Sequence, residues 1–232
     1  MSGSFNLSNP NRKIQVGVLL PNSTTELLDV APVDIFYGLQ HEMLSHLPLD
    51  QKSDMLKQAI ESEIHWVSET GKATSRISAN LAVLPTDSFK DCPPLDILII
   101  GAAHPTYVWS DADCNFIRQV AETASAVISI CGGFQSLLQA GVLQGKSATA
   151  PRMMIPFLQK EAPGVDWQDR RWVQDGKIWT SGALLNGVDL MAAFVRQTWG
   201  YGERKDLIEW TLDATGWNLG RSVNYDVPQT SG

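Results

Sequence analysis

Short apolar segments alternate along the chain with longer amphipathic ones. Nearly continuous apolar runs occupy 13–20, 64–68, 95–100 and 126–130. Such runs are typical of parallel strands that are covered on both faces. The amphipathic segments between them predict helices, and this succession predicts an α/β fold, a three-layer sandwich with a largely parallel sheet between two helical layers.

Local signals add detail to this fold. The Asp175-Gly176 pair predicts a hairpin turn within 165–181, and the loose alternation over 71–84 predicts a hairpin or edge excursion. The helix predicted over 111–125 would have Asp111 or Asp113 as its cap.

Composition predicts one domain. The 232 residues contain no Pro/Gly/Ser-rich linker, so we expect a single domain over 13–232 after a flexible tail over 1–12. The formal charge of -7 comes without a basic cluster, which argues against nucleic acid or an anionic membrane as partner. No apolar run approaches the ~20 residues of a transmembrane helix.

The cysteines and histidines indicate the redox compartment and argue against a metal site. Cys92, Cys114 and Cys131 form no C-x-x-C pair, and an odd number favours a reduced, cytoplasmic compartment. The four histidines are scattered without metal-ligand spacing. No phosphate-binding glycine loop stands out, so we expect neither a metal nor a cofactor.

Cys131 is the strongest candidate for chemistry. The strand over 126–130 delivers it into the Gly132-Gly133 turn, and helical spacing follows. A thiol at a helix N-terminus is favoured as thiolate, and the glycines free backbone N–H groups to face a substrate. The alternative is a small buried cysteine that only packs between sheet and helix.

Asp29 is the candidate partner of this thiol. It follows the first strand at the carboxyl edge of the sheet, where open α/β sheets bind ligands. As an alternative, Asp29 is an ordinary N-cap at the start of a helix whose first turn contains Pro32. After the strand over 95–100, Gly101-Ala102-Ala103-His104 would allow close backbone approach to a ligand.

Four motifs resemble one known family. LLDVAPVDIF, the strand–Cys131 turn, AGVLQGKSAT and RWVQDGKIWTSG with NGVDL are similar to the ThiJ/PfpI superfamily, in particular its isonitrile hydratase-like branch with many fungal members. The resemblance covers about 13–201. It implies a glutamine-amidotransferase-like sandwich, a strained nucleophile elbow at Cys131, Asp29 as acid, backbone donors at Gly101, Ala102 and Gly132, a small-molecule substrate and a homodimer.

Several positions depart from the family pattern. Gly132 stands where many relatives have His or Thr after the cysteine, and Asp29 precedes Pro32 by three residues instead of four. Polar family residues are also replaced around Ala150 and Leu184. These changes predict an unusually apolar substrate pocket. We expect this pocket to be lined by residues of four loops: Ala103, His104, Gly133, Ala150 and Leu184.

Three functions remain open. The first is a hydratase (lyase) of secondary metabolism, in which Cys131 attacks an isonitrile and Asp29 handles protons to release an N-substituted formamide. The second is a lyase, isomerase or cyclising enzyme of a hydrophobic metabolite on the same fold. The third is a non-enzymatic redox sensor or stress-response protein that uses an exposed, low-pKa Cys131. Glyoxalase chemistry is disfavoured because no histidine follows the cysteine.

Overall fold

The computed structural model describes residues 5–47, 52–218 and 220–226. The strands of this part of the chain are, in order, β1 (Ile14–Leu19), β2 (Thr24–Thr25), β3 (Ser62–Ser68), β4 (Ser75–Ile77), β5 (Leu81–Val83), β6 (Asp87–Ser88), β7 (Ile97–Ile100), β8 (Ala126–Ser129), β9 (Ser147–Ala148), β10 (Asp166–Trp167), β11 (Trp172–Asp175) and β12 (Ile178–Ser181). In these described residues the main sheet has seven strands in the order β11-β12-β8-β7-β1-β3-β6. All neighbours are parallel except β11 and β12.

Helices cover both faces of this sheet. They are α1 (Leu27–Val30), α2 (Ile35–Gly38), α3 (His41–Ser45), α4 (Lys52–Gln58), α5 (Asp111–Thr123), α6 (Phe134–Gln139), α7 (Ile155–Glu161), α8 (Asn186–Trp199) and α9 (Lys205–Ala214). Apolar residues of α1 to α4, α8 and α9 pack on one face, and those of α5 to α7 pack on the other. Strands β7 and β8 are buried along their whole length, because both faces are covered. The predicted three-layer α/β sandwich is confirmed.

The structure confirms both predicted hairpins. Strands β11 and β12 pair antiparallel around Gly176, whose φ of 59° suits glycine. Strands β4 and β5 also form an antiparallel pair, and β2 joins their small sheet in parallel.

The cap of α5 differs from the prediction. Ser110 is the N-cap, since its side chain accepts the Asp113 N–H at 3.1 Å. The Ser110 N–H in turn donates to Asp113 Oδ2 at 2.9 Å. This reciprocal capping box makes Asp113 the third helical residue, so neither predicted aspartate is the cap.

Residues 5–12, part of the tail that the sequence predicts to be flexible, contact the rest of the domain in this structure. Phe5 and Leu7 pack against the core, and the Trp199 indole donates to the Leu7 carbonyl at 2.7 Å. Arg12 makes a two-pronged ion pair with the buried Asp96, at 2.6 and 2.8 Å. Apolar side chains and one buried charge therefore fix this segment, while residues 1–4 of the predicted tail lie outside the described residues.

Candidate active site

Four parallel strands end side by side at one edge of the sheet. The register pairs Leu19 with Ile100, Ile100 with Ser129, and Ser129 with Thr180. The loops that follow β1, β7, β8 and β12 therefore meet at this carboxyl edge, where α/β sheets bind their ligands. These loops carry Asp29, Ala102, Cys131 and Leu184.

The turn at Cys131 is sharp. Cys131 has a φ of 54°, a left-handed conformation that strains any residue with a Cβ. A 3₁₀ turn over Cys131–Gly133 leads directly into α6. A Cβ on Gly133 would overlap the carbonyl oxygen of Ile100, so only glycine lets the turn approach β7 this closely. The predicted strand–cysteine–helix elbow is thus present.

Asp29 lies beside the thiol, in the first turn of α1. Its side chain is fully buried and hydrogen-bonds with Cys131. Its Oδ2 accepts the Ala102 N–H at 2.8 Å, whereas Oδ1 has no hydrogen-bond partner among the described residues. Asp29 is therefore not the N-cap of α1; that position belongs to Glu26, which makes no side-chain cap.

The pKa of Asp29 is raised to about 7, mainly by burial and to a lesser extent by the nearby Glu26 carboxylate. The Ala102 N–H and the Cys131 hydrogen bond act in the opposite direction, since both stabilise the charged form. Asp29 therefore keeps its proton over a pH range in which an exposed aspartate is ionised.

Glu26 is a site residue that the sequence interpretation missed. Its Oε2 accepts a hydrogen bond from the Cys131 sulfur at 4.0 Å, and its main-chain N–H donates to the Ala102 carbonyl at 3.1 Å. The signal for it was the three-residue spacing to Asp29, because residues three apart lie on one face of a helical turn.

Two main-chain donors also reach the sulfur. The N–H groups of Gly132 and Leu184 both donate to Cys131 Sγ and lower the pKa of the thiol. Gly132 was predicted as a donor, whereas Leu184 was predicted as a pocket side chain and here contributes its backbone. Leu184 has a φ of 23°, so its loop is strained where it meets the sulfur.

The two other predicted donors have different environments. The Ala102 N–H donates to Asp29 in this structure, and a role for it in binding an oxyanion stays a prediction. At Gly101 a Cβ would lie only 2.9 Å from the Asp29 Cβ, so this glycine makes room for the acid. A donor role for the Gly101 N–H stays a prediction.

The Cys131 pKa moves opposite to expectation. Burial and then the Asp29 charge raise it to about 11, and the two N–H donors offset only part of this effect. The expected low-pKa thiolate is therefore wrong for this protein at rest. The physical reason is that the partial burial of the sulfur and its two neighbouring carboxyl groups outweigh the dipole of α6, which has six residues.

The remaining predicted pocket residues do not gather around the sulfur. Ala103 and Ala150 pack in the core on the α5–α7 face, and Gly133 packs against the Ile100 carbonyl. His104 is exposed, bonds to Thr106 at 2.9 Å and lines a polar cavity of about 660 Å³ between the loops after β1, β3 and β7. A pocket formed jointly by these residues stays a prediction.

A different, apolar groove adjoins the site. Its volume is about 510 Å³, and two of its residues follow the sulfur's partners in the chain: Leu27 follows Glu26, and Leu185 follows Leu184. It is lined by Leu27, Leu28, Val30, Ala31, Pro32, Val33, Asp34, Trp66, Ile77, Leu81, Val83, Leu185, Val188 and Trp217. An apolar substrate pocket at Cys131 stays a prediction, because the groove's lining residues do not include Cys131, Asp29 or Glu26.

Glu26, Asp29 and Cys131 form a compact cluster. Their ligand-type atoms lie within 4.8 Å of one another, a spacing that a metal ion could also bridge. The thiol donates to Glu26 Oε2, and its sulfur also interacts with the buried Asp29 carboxyl group, whose pKa it lowers. This arrangement can move a proton between sulfur and oxygen, so it serves acid–base chemistry at a nucleophile.

A sequence model of the DJ-1/PfpI family matches residues 51–197. This match includes the Cys131 elbow. An isonitrile hydratase from Pseudomonas putida is 31% identical to this chain over 163 residues, and the alignment covers 68% of each protein.

Solved structures show the same fold. A ThiJ/PfpI family protein from Pseudomonas syringae has a TM-score of 0.63 at 19% identity and covers 95% of this chain and 79% of its own. DJ-1beta from Drosophila melanogaster has a TM-score of 0.65 at 14% identity, with coverage of 88% and 98%. Within the described residues, no helix is long and apolar enough to cross a membrane.

Proposed function

The chain belongs to the DJ-1/PfpI family, and on that premise we propose that it is an enzyme that uses Cys131 to hydrate a small, apolar isonitrile. The convergence of two carboxyl groups and two main-chain donors on one strained cysteine supports this proposal. The 31% identity to an isonitrile hydratase supports the choice of reaction.

The proposed reaction begins with addition of the thiol to the isonitrile. The sulfur attacks the terminal carbon of R–N≡C, and a proton from Asp29 is transferred to that carbon, which gives the thioimidate R–N=CH–S–Cys131. The thiol proton passes to a carboxylate, and Glu26 is the acceptor already hydrogen-bonded to the sulfur.

Water completes the cycle. It adds to the thioimidate carbon as the ionised Asp29 takes one of its protons, and the nitrogen gains the proton that Glu26 took from the thiol. The resulting R–NH–CH(OH)–S–Cys131 releases R–NH–CHO, and the sulfur recovers its proton. The Gly132 and Leu184 N–H groups stabilise the negative charge on the sulfur as it attacks and again as it leaves. No cofactor is needed.

The apolar groove supports a hydrophobic substituent on the substrate. An R group of a molecule held at Cys131 would extend past Leu27 and Leu185, both of which are partly exposed. Burying such a group would make the binding free energy more favourable by about 25 cal/mol for each Å² of apolar surface removed from water. The proposal also includes a homodimer and a cytoplasmic location, which the family resemblance and the three free cysteines support.

The test is cysteine-dependent turnover of an aromatic isonitrile, followed by formation of the formamide. Wild-type protein and Cys92→Ala should both react, because Cys92 lies outside the cluster, whereas Cys131→Ala should not. Equal turnover by Cys131→Ala and wild type would refute the mechanism.

A second candidate is an isomerase, lyase or cyclising enzyme on a larger apolar metabolite, which the 510 Å³ groove favours. Saturable binding of such a compound, without conversion of any isonitrile, would favour this second function.

A further inference from the structure

The chain that follows α9 returns to the sheet edge and crosses the loop between β12 and α8. Residues 221–226 form this crossing and are called the C-terminal strap; residues 182–185 are called the Leu184 loop. Asn224 of the strap forms an isolated antiparallel bridge with Arg170, just before β11. The strap thus lies beside the strand that pairs with β12.

Arg171 joins the strap to the start of the Leu184 loop. Its side chain is 6% exposed and donates to the main-chain carbonyls of Ser222 and Asn224. Its own N–H donates to the Val223 carbonyl, and its carbonyl accepts the Gly182 N–H at 2.9 Å. One buried arginine therefore bonds to both segments.

Tyr225 holds the same loop from the other side. Its hydroxyl donates to Asn186 Oδ1 at 3.0 Å, at the start of α8. A Cβ on Gly182 would lie 2.6 Å from that hydroxyl and 2.8 Å from Asn186 Oδ1. A side chain at position 182 would therefore displace these two polar groups from their present positions.

Arg221 completes the attachment. Its guanidinium donates to the carboxylate of the buried Asp189 at 3.0 Å and to the Leu185 carbonyl at 3.1 Å. The strap therefore contacts the residue directly after Leu184 and the first turn of α8.

The Leu184 loop needs such support. Leu184 has a φ of 23°, a strained conformation that persists only when its surroundings fix it. The Leu184 N–H donates to Cys131 Sγ. Small movements of this loop would withdraw one of the two main-chain donors from the sulfur.

We propose that the C-terminal strap is a positioning device that holds the Leu184 N–H against the Cys131 sulfur, with Tyr225 as the main positioning residue. This inference deepens the proposed function, because it assigns part of the thiolate stabilisation to a segment remote from Cys131 in the chain. It does not require the substrate to be an isonitrile.

The test measures the reactivity of the Cys131 thiol. The rate of alkylation of Cys131 by iodoacetamide, followed by mass analysis of its peptide across pH, reports the thiol pKa without any substrate. Tyr225→Phe removes the bond to Asn186 and keeps the ring that stacks on Arg152 and Arg171. A chain ending at Arg221 keeps the Asp189 pair and removes the rest of the strap.

We expect both variants to raise the Cys131 pKa and to slow alkylation below that pKa by about threefold to tenfold, the effect of one hydrogen bond of ordinary strength. Their kcat should fall more than their KM changes. Ser222→Ala is the matched control, since among the described residues its hydroxyl bonds within the strap alone, to the Asn224 carbonyl; it should behave as wild type.

Two results would overturn the proposal. One is a loss of thermal stability in both strap variants with an unchanged pH profile of alkylation, which would make the strap purely structural. The other is a wild-type Cys131 that iodoacetamide does not modify at any pH. Failure of isonitrile turnover alone would refute the hydratase reaction and leave the alkylation result valid.

Discussion

The main-chain N–H of Ala102 donates to Oδ2 of Asp29 at 2.8 Å, and this is the one backbone hydrogen bond that the described residues give to that fully buried carboxyl group. A buried carboxylate with several N–H donors is stabilised in its charged form, whereas one donor does not compensate for the loss of water. The proton on Asp29 is a consequence of this shortage, and the proposed reaction uses that proton.

The first prediction concerns stability against pH. The Asp29 pKa is about 7 in the folded state, above its unfolded value near 4. The folded state therefore binds more protons between these values, and this contribution to stability is fully present below about pH 4 and lost as pH rises through 7.

Asp29→Asn removes this titration. From about pH 5 to about pH 8, the free energy of unfolding of wild type should fall by roughly 2–3 kcal/mol relative to the variant. Urea denaturation at the two pH values measures it, with Asp34→Asn, an exposed neighbour, as control. Parallel pH profiles for wild type and Asp29→Asn would show that Asp29 ionises as an ordinary carboxyl.

The second prediction separates reactivity from catalysis. The Asp29 charge raises the Cys131 pKa, so Asp29→Asn should lower that pKa and speed alkylation of the thiol at a pH above 7. The same variant lacks the acid, so isonitrile turnover should fall by about 10² or more. Opposite changes in the two assays are expected; slower alkylation in the variant would contradict the assigned electrostatics.

The position of Cys131 could be predicted from the sequence because it depends on local chemistry. An apolar strand, two glycines and a following helix are adjacent in the chain, and together they determine an elbow. The same holds for the Asp175-Gly176 hairpin, whose turn residues select its geometry.

The surroundings of the sulfur could not be predicted in the same way. Leu184 reaches Cys131 through its backbone, and no side-chain pattern records where an N–H points. The Cys131 pKa depends on burial and on two carboxyl groups from a loop about one hundred residues away. Such effects arise only when β1, β8 and β12 align at one edge.

The third prediction concerns the close approach at Gly133. Gly133→Ala places a methyl group against the Ile100 carbonyl, which belongs to a central strand and cannot move freely. We expect a loss of about 3 kcal/mol in the free energy of unfolding, at the upper end of overpacking effects. Gly38→Ala is the control, because its Cβ would make ordinary contact with Thr211 and alanine favours a helix. Equal stability of the two variants would contradict the tight elbow.

The last prediction concerns the apolar groove. Leu185 is 52% exposed and can still be buried by a bound molecule. Leu185→Ala should raise KM about fivefold for an isonitrile with a bulky apolar substituent, the loss of roughly 1 kcal/mol of apolar contact. For methyl isonitrile, which is too short to reach the groove, KM should stay unchanged.

Leu84→Ala is the matched control, since Leu84 is 67% exposed and is not among the lining residues of the groove. An equal effect of Leu185→Ala on both isonitriles would place the substituent elsewhere. If Leu185→Ala instead changed the molecular mass measured by light scattering and left KM unchanged, the groove would be a contact between two copies of the chain. The groove therefore selects among substrates only if the effect of Leu185→Ala on KM grows with the apolar area of the substituent.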